Sequence, residues 1–317
     1  MSVEELQASG VTVVVPSYNM TKFIPEALDS VLAQTYRNFE IIVVNDGCPD
    51  TERLEAVLKS FAPAIRYLRQ ENQGVGAARN TAIRVSQGAY IALLDADDIW
   101  EPEYLERQVE FLETHPEYDV VYPDAVLFGD SPLAGRRYME VSPSTGEVTI
   151  ESLLSGSCNV FISVLGRKRA FVDAGLFNST LRAAEDFEMW IRILLSGHRI
   201  GYQREPLVRF RKHPKSLSAN RVVQTRRATF ALSRLLPDPR LSSQQVALMR
   251  TLMERLLARG QLWAAKRALA DQRPYEAIQR LSSANAVLRS AKLSLVILAI
   301  RIAPSLTRRF YRLRIAR

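Results

Sequence analysis

The sequence predicts an α/β fold, a doubly wound and mostly parallel sheet flanked by helices, followed by an all-helical C-terminal extension. Three observations carry this. Short apolar runs alternate with amphipathic stretches of helical length through residues 11–114, the strand–helix order that builds parallel sheets. The carboxylate cluster Asp95-Ala96-Asp97-Asp98 directly follows the apolar run Ile91-Ala92-Leu93-Leu94, and ligands of α/β sheets bind outside the carboxyl ends of strands. Charge changes sign along the chain: residues 222–317 hold 19 Lys+Arg against 4 Asp+Glu, a net +15, and the residues before them hold 23 against 30, a net −7.

Residues 11–15, 39–44, 65–68 and 90–94 are short and apolar, three of them nearly unbroken, as strands covered on both faces should be. Between the first two, Thr21 is placed to cap a helix with Pro25 in its first turn, and Phe23, Ile24, Ala27, Leu28, Val31 and Leu32 follow at helical spacing. Helices are expected over 50–61 and 74–86, where Gly74 and Gly76 let the backbone turn into the second. Beyond the carboxylates, Leu105, Val109 and Leu112 mark a helix over 102–114, and a strand is expected over 119–127. Residues 129–146, rich in Gly, Pro and Ser, read as a mobile loop, either an acceptor-binding lid or a connector. Phe187, Trp190, Ile191, Leu194 and Leu195 define a helix over 184–195 that opens on Glu185 and Asp186, with Trp190 and Phe187 in the core. After Ser218 only helical patterns remain; 261–271 and 274–286 suggest one helical hairpin, fewer units than a solenoid requires.

Composition excludes several classes. With 47% hydrophobic and 24% charged residues the chain is ordinary globular material. Cys48 and Cys158 form neither a disulfide framework nor a zinc-ligand spacing, which fits a reducing cytoplasm. The acidic start Met1-Ser2-Val3-Glu4-Glu5 has no secretory pattern. In the basic extension, the apolar run 293–300 between Lys292 and Arg301 falls short of the roughly 18 to 20 residues of a membrane-spanning helix. With Pro304, Arg308, Arg309, Arg312, Arg314 and Arg317 behind it, it fits a helix lying in an anionic membrane surface. The expected location is therefore cytoplasmic, peripheral on the inner face of the membrane.

Three strand-end carboxylates have no structural rationale of their own, since an isolated buried carboxylate costs several kcal/mol, roughly, unless paired or bound to a cation. They point to a divalent-metal and nucleotide site. Five pieces of sequence extend the argument: Val15-Pro16-Ser17-Tyr18-Asn19, Val43-Val44-Asn45-Asp46-Gly47, Asn72-Gln73-Gly74 through Ala78-Arg79-Asn80, Asp95-Ala96-Asp97-Asp98, and Ala184-Glu185-Asp186-Phe187-Glu188-Met189-Trp190. In this order, over roughly 11–220, they resemble the family 2 glycosyltransferases with the GT-A fold, a Rossmann-like sheet.

The resemblance implies a catalytic domain over 1–220 with a basic helical extension over 221–317. It implies transfer of a sugar from a nucleotide-diphosphate sugar, a UDP-sugar first among donors, to a hydroxyl of a glycan or lipid-linked acceptor, with inversion at the anomeric carbon. Bacterial surface-polysaccharide or lipid-linked glycan synthesis is the implied setting. Pro16, Tyr18 and Asp46 fall in the donor pocket, Arg79 approaches the base or diphosphate, and Asp95 contacts ribose directly or through water. Asp97 is the implied ligand of Mn2+ or Mg2+, His213 in Arg209-Phe210-Arg211-Lys212-His213-Pro214-Lys215-Ser216-Leu217-Ser218 completes the metal shell, and Asp98 caps the following turn. Asp186 is the implied catalytic base, with Glu185 the runner-up.

Plainer readings stand beside these. Asp46-Gly47 is also a turn-forming step, Arg79 is also a solvated helix position, and Glu185 with Asp186 also complement a helix dipole, worth about 0.3–1 kcal/mol. A non-catalytic sugar-nucleotide-binding scaffold at the membrane is the alternative function. A nucleotidyltransferase would open on a Gly-rich, Arg-containing loop, which Val13-Val14-Val15-Pro16-Ser17 is not. Lys and Arg without aromatic stacking or zinc motifs do not indicate nucleic acid as a partner.

Overall fold

The computed structural model describes residues 10–213 and 220–302. The sequence features at 1–5, 214–218 and 304–317 lie outside the described residues. The chain divides into two compact units, 1–216 and 217–317.

The first unit begins with β1 (Val11–Ser17), α1 (Ile24–Leu32), β2 (Phe39–Asp46), α2 (Thr51–Leu58, extended by a 3-10 turn Lys59–Phe61), β3 (Ile65–Gln70), α3 (Val75–Val85) and β4 (Tyr90–Leu93). It continues through β5 (Ile99–Trp100), α4 (Tyr104–Thr114), β6 (Val120–Gly129), α5 (Tyr138–Val141), α6 (Ile150–Ser155), β7 (Leu165–Arg167), α7 (Lys168–Asp173), α8 (Glu185–Leu195) and β8 (Ile200–Lys212). All seven residues of β1 and all four of β4 are buried, the environment that favours unbroken runs such as Val13-Val14-Val15 over an alternating pattern. The first helix starts at Ile24 with Phe23 rather than Thr21 at its cap, and Pro25 occupies its first turn, where a missing N–H costs nothing.

One eight-stranded sheet runs in the order β3-β2-β1-β4-β7-β6-β8-β5. Strands β1 to β4 are mutually parallel where they pair. Since β7 is antiparallel to both β4 and β6, and β8 is parallel to β6, β6 and β8 run the same way as β1 to β4. Only β5 and β7 oppose them. The carboxyl ends of six strands therefore share one edge, and the turn after β4 and the residue after β8 both emerge there.

Two buried amides hold this edge in place. Gln34, after α1, donates to the carbonyls of Ser30 and Glu101 at 3.0 and 2.8 Å and accepts from the Leu105 N–H at 2.8 Å, so the stretch behind the carboxylates is fastened to α1. Asn80 on α3 clasps Phe177 in both directions, Nδ2 to its carbonyl at 2.7 Å and its N–H to Oδ1 at 2.8 Å. Such bonds are each worth only about 0.5–1.5 kcal/mol net, but they decide where the segment before α8 lies.

Residues 129–146, expected as a mobile loop, contain α5 and are tied to buried Asp124, which faces Arg137 Nε at 2.9 Å and accepts from the Met139 N–H at 3.1 Å. The second unit holds α9 (Arg221–Leu235), α10 (Ser243–Ala270), α11 (Pro274–Leu288) and α12 (Ala291–Ile302). A reciprocal Ser242–Gln245 capping box starts α10. Ala265, Ala268, Leu269, Ala277, Leu281 and Ile300 form a core shared by α10, α11 and α12.

Candidate active site

After β4 the chain turns sharply, with the Asp98 N–H donating to the Asp95 carbonyl at 3.0 Å. The three carboxylates then diverge. Asp98 is fully buried and accepts the backbone N–H of Arg211 through Oδ1 at 2.8 Å, while Oδ2 has no hydrogen-bond partner; burial, then the neighbouring Asp97 and Asp95, push its carboxyl well above the usual range. Rather than capping the next turn, Asp98 fastens this loop to the end of β8. Asp97 Oδ2 meets His213 Nε2 at 3.0 Å. Burial and Asp95 raise the Asp97 carboxyl, and His213 opposes the shift.

Arg211 completes the join. Its Nε donates to the Asp97 carbonyl at 2.7 Å, its Nη2 reaches Glu26 at 2.9 Å, and its guanidinium lies 4.7 Å from the ring of Phe23 and 4.3 Å from that of Phe128. Planar, permanently charged and weakly hydrated, an arginine suits this half-buried position. Among the described residues no three His, Cys, Asp or Glu side chains converge as metal ligands. Asp97 and His213 instead present one oxygen and one nitrogen side by side. Mg2+ commonly takes one or two carboxylates and fills its remaining positions with water and phosphate, and Mn2+ accepts imidazole and carboxylate together. The pair therefore fits a cation whose shell is completed by substrate.

Arg79 is buried, and its two terminal nitrogens are engaged by carboxylates from opposite sides of the site: Nη2 to Asp95 Oδ1 at 2.6 Å and Nη1 to Glu185 Oε1 at 2.7 Å. The face of Phe177 lies 5.3 Å from it. Burial disfavours the cation, but the two carboxylates outweigh it and hold the guanidinium charged. In this geometry Arg79 binds the protein's own acids.

Helix α8 opens at Ala184, a non-glycine residue with φ of 59°. Left-handed backbone costs an L-residue about 1–2 kcal/mol, and here it directs Glu185 and Asp186 into the site at the start of the helix. Asp186 accepts its neighbour's N–H, from Phe187, at 2.7 Å. It sits in a densely walled recess while keeping part of its surface in solvent. Burial first, then the Glu185 charge, push its carboxyl up to about 7, against the Phe187 N–H and Arg79. Burial, and more weakly Asp186, also raise the Tyr138 phenol, so α5 borders the same recess; the Tyr138 ring packs 5.3 Å from Phe161 and 5.7 Å from Phe210.

At the other end of the edge, Asp46 closes β2. Its Oδ1 accepts from Gln70 Nε2 at 2.8 Å and from the Gln73 N–H at 2.9 Å, and its Oδ2 from the Gly74 N–H at 2.8 Å. Neither plain turn residue nor open acceptor, Asp46 organises the loop that leads into α3. Gly47 and Gly74 make that loop possible: φ is +67° and +95°, and a Cβ on Gly47 would stand 2.6 Å from the Asn72 nitrogen. Pro16 is buried in β1, and Tyr18, just beyond, is 44% exposed. The Asn19 N–H donates to Cys48 Sγ at 3.2 Å, joining the loops after β1 and β2. Beside them lies an open depression of about 400 Å³ lined by Gly47, Cys48, Thr51, Arg69, Gln70 and Glu71.

The structure thus brings Asp95, Asp97, His213, Arg79, Glu185 and Asp186 into one linked cluster, and sets Pro16, Tyr18 and Asp46 along the same sheet edge toward β2. Sequence reasoning missed Asn80, Arg211 and Arg182, whose Nη1 donates to Asn72 Oδ1 at 2.9 Å. Asn80 and Arg211 lay inside motifs already singled out; Arg182 had no local signal. His198 bridges Asp119 and Asp173 at 3.0 Å each, away from this cluster.

The sequence model of the family described as Glycosyl transferase family 2 matches residues 12–171. An uncharacterized glycosyltransferase of Rickettsia felis is 35% identical over 191 residues, covering 58% of this chain but only 31% of the relative. Another from Haemophilus influenzae is 30% identical over 212 residues, 66% of this chain and 70% of the relative. Among solved structures, S. aureus TarS 1-349 in complex with UDP-GlcNAc superposes with a TM-score of 0.61 at 17% identity, over 95% of this chain and 90% of that one. Mannosyltransferase PcManGT from Pyrobaculum calidifontis, in complex with GDP-Man and Mn2+, gives 0.61 at 19%, over 95% and 83%. The shared fold is GT-A.

Proposed function

The chain belongs to glycosyl transferase family 2, and from that premise we propose that it moves a sugar from a nucleotide-diphosphate sugar to an acceptor hydroxyl with inversion at the anomeric carbon. The observation that supports this reading is the Arg79 bridge, which ties the strand-end Asp95 to Glu185 at 2.6 and 2.7 Å and so joins the strand-end acids to the helix that carries Asp186. Inversion in a single displacement needs a base on the acceptor face and stabilisation on the leaving-group face. Asp186 takes the acceptor hydroxyl proton as the new bond to the anomeric carbon forms, and the bond to the diphosphate oxygen breaks as the nucleoside diphosphate departs. A carboxyl raised to about 7 is matched to that task near neutral pH.

Asp97 and His213 would hold Mn2+ or Mg2+, the group that supplies Lewis-acid stabilisation of the departing diphosphate. Tyr18 offers an exposed ring to the nucleobase side, and Asp46 and Pro16 help to shape the donor pocket. Arg79 acts as internal counter-charge, fixing Asp95 and Glu185 in place. The two-part organisation, a catalytic domain over 1–220 with a basic helical extension, belongs to the same proposal, as does a glycan or lipid-linked acceptor. The chain spans under a third of the length of the Rickettsia felis relative, and a neighbour crystallised with UDP-GlcNAc supports a UDP-sugar as the first donor to test.

The test is Asp186→Asn. Sugar transfer should fall by at least about 10²-fold, the low end for a general base, while nucleotide binding measured by calorimetry stays within about twofold. Substantial residual transfer would place the base elsewhere.

A further inference from the structure

Helix α12 is apolar on two faces, and among the described residues only one of them is packed. Leu293, Val296, Ile297 and Ile300 pack against α10 and α11, whereas Leu295, Leu298 and Ile302 are 66, 51 and 75% exposed. Spaced i, i+3 and i+7, these three form one outward stripe. On the same helical projection Lys292 and Arg301, both exposed, fall on opposite borders of the stripe. A tight connection presents the helix, with Arg289 in left-handed conformation and Asn285 accepting the Ser290 N–H at 2.8 Å.

We infer that the C-terminal helical unit docks on an anionic lipid bilayer through the Leu295–Leu298–Ile302 stripe of α12, which lies in the plane of the interface with Lys292 and Arg301 among the headgroups. Charge selects this occupant. From residue 277 to 317 the sequence holds nine Lys or Arg and no Asp or Glu. A second copy of the chain, paired stripe to stripe, would bring Lys292 and Arg301 against their like, whereas an anionic bilayer complements both the stripe and its borders. Length decides the orientation. The uncharged run 293–300 between Lys292 and Arg301 extends about 12 Å as a helix against a hydrocarbon core of about 30 Å, and no helix among the described residues is long and apolar enough to cross a membrane.

The experiment is co-sedimentation of the full chain with vesicles of phosphatidylcholine alone or with about one third phosphatidylserine. Binding should require phosphatidylserine and fall at least about tenfold between about 0.1 and 1 M NaCl, as the Debye length shrinks from about 10 to 3 Å. The variant Leu295→Ser/Leu298→Ser/Ile302→Ser should also lose at least about tenfold in binding, since each buried apolar side chain adds to partitioning, with helical content by circular dichroism unchanged. Leu298→Cys, labelled with an environment-sensitive dye, keeps the idea testable should the triple variant misfold: its emission should shift to the blue on anionic vesicles only. Equal binding to neutral vesicles, unchanged binding of the folded triple variant, an unshifted dye, or a self-association that the triple variant abolishes would each overturn the assignment.

Discussion

Replacing Arg79 by Met separates two roles for this residue. The guanidinium makes charge-assisted bonds of 2.6 and 2.7 Å to Asp95 and Glu185. Removing one partner of a buried ion pair costs about 3–5 kcal/mol, because the remaining charge stays enclosed. Glu185, with a side chain 8% exposed, accounts for most of that, while Asp95, 31% exposed, relaxes partly into water. For a unit of this size, 3–5 kcal/mol corresponds to about 6–20 °C in Tm, read as the calorimetric transition of the α/β unit. Arg79→Met/Glu185→Gln should recover part of the loss by removing the stranded carboxylate, a coupling the double-mutant cycle measures directly. The reasoning is refuted if Arg79→Met leaves Tm unchanged while nucleotide affinity drops tenfold or more; the guanidinium would then act on the donor.

With Asp186, raised to about 7, as the proposed base, active only when ionised, kcat should fall about tenfold per pH unit below about 7 and level off above it; a flat profile between about pH 5.5 and 8 contradicts the proposal. The same shift has a stability consequence of fixed sign. The folded value lies above the unfolded one of about 3.9, so the contribution from Asp186 is fully present below about pH 4 and lost as pH rises through about 7, readable from urea midpoints of the wild type against Asp186→Asn. Asp97→Ala and His213→Ala should each raise the Mn2+ concentration needed for half-maximal transfer by at least about tenfold, and superimposable metal titrations would remove them as ligands. Ala184→Gly should raise Tm by a few degrees, since relief of left-handed strain, about 1 kcal/mol, exceeds the added chain entropy; a lower Tm would show that the residue is not strained.

Much of the α/β half was legible because its signals are local. Runs such as Val13-Val14-Val15 and Ile41-Ile42-Val43-Val44 can only be buried strands, and the spacing of Phe187, Trp190, Ile191 and Leu194 defines a helix face without reference to anything distant. The short strands β5 and β7 were not legible, because two or three residues carry no periodicity. Nor was the reach of β8 into the sheet, where exposed Arg204 and Glu205 interrupt the burial pattern.

By itself, the sequence determined that acids lie at the end of a buried strand and at the start of an amphipathic helix, and that the basic charge lies in the final third. What each acid touches was decided by tertiary structure. Asp97 meets His213 across 116 positions of sequence, and Arg79 meets Glu185 across 106, contacts that exist only because six parallel strand ends share one edge. Asp98 reads as a cap of the following turn in the sequence, yet in the fold it is an internal anchor for β8. Electrostatic environment is set by what packs around a group, and local sequence does not specify that packing.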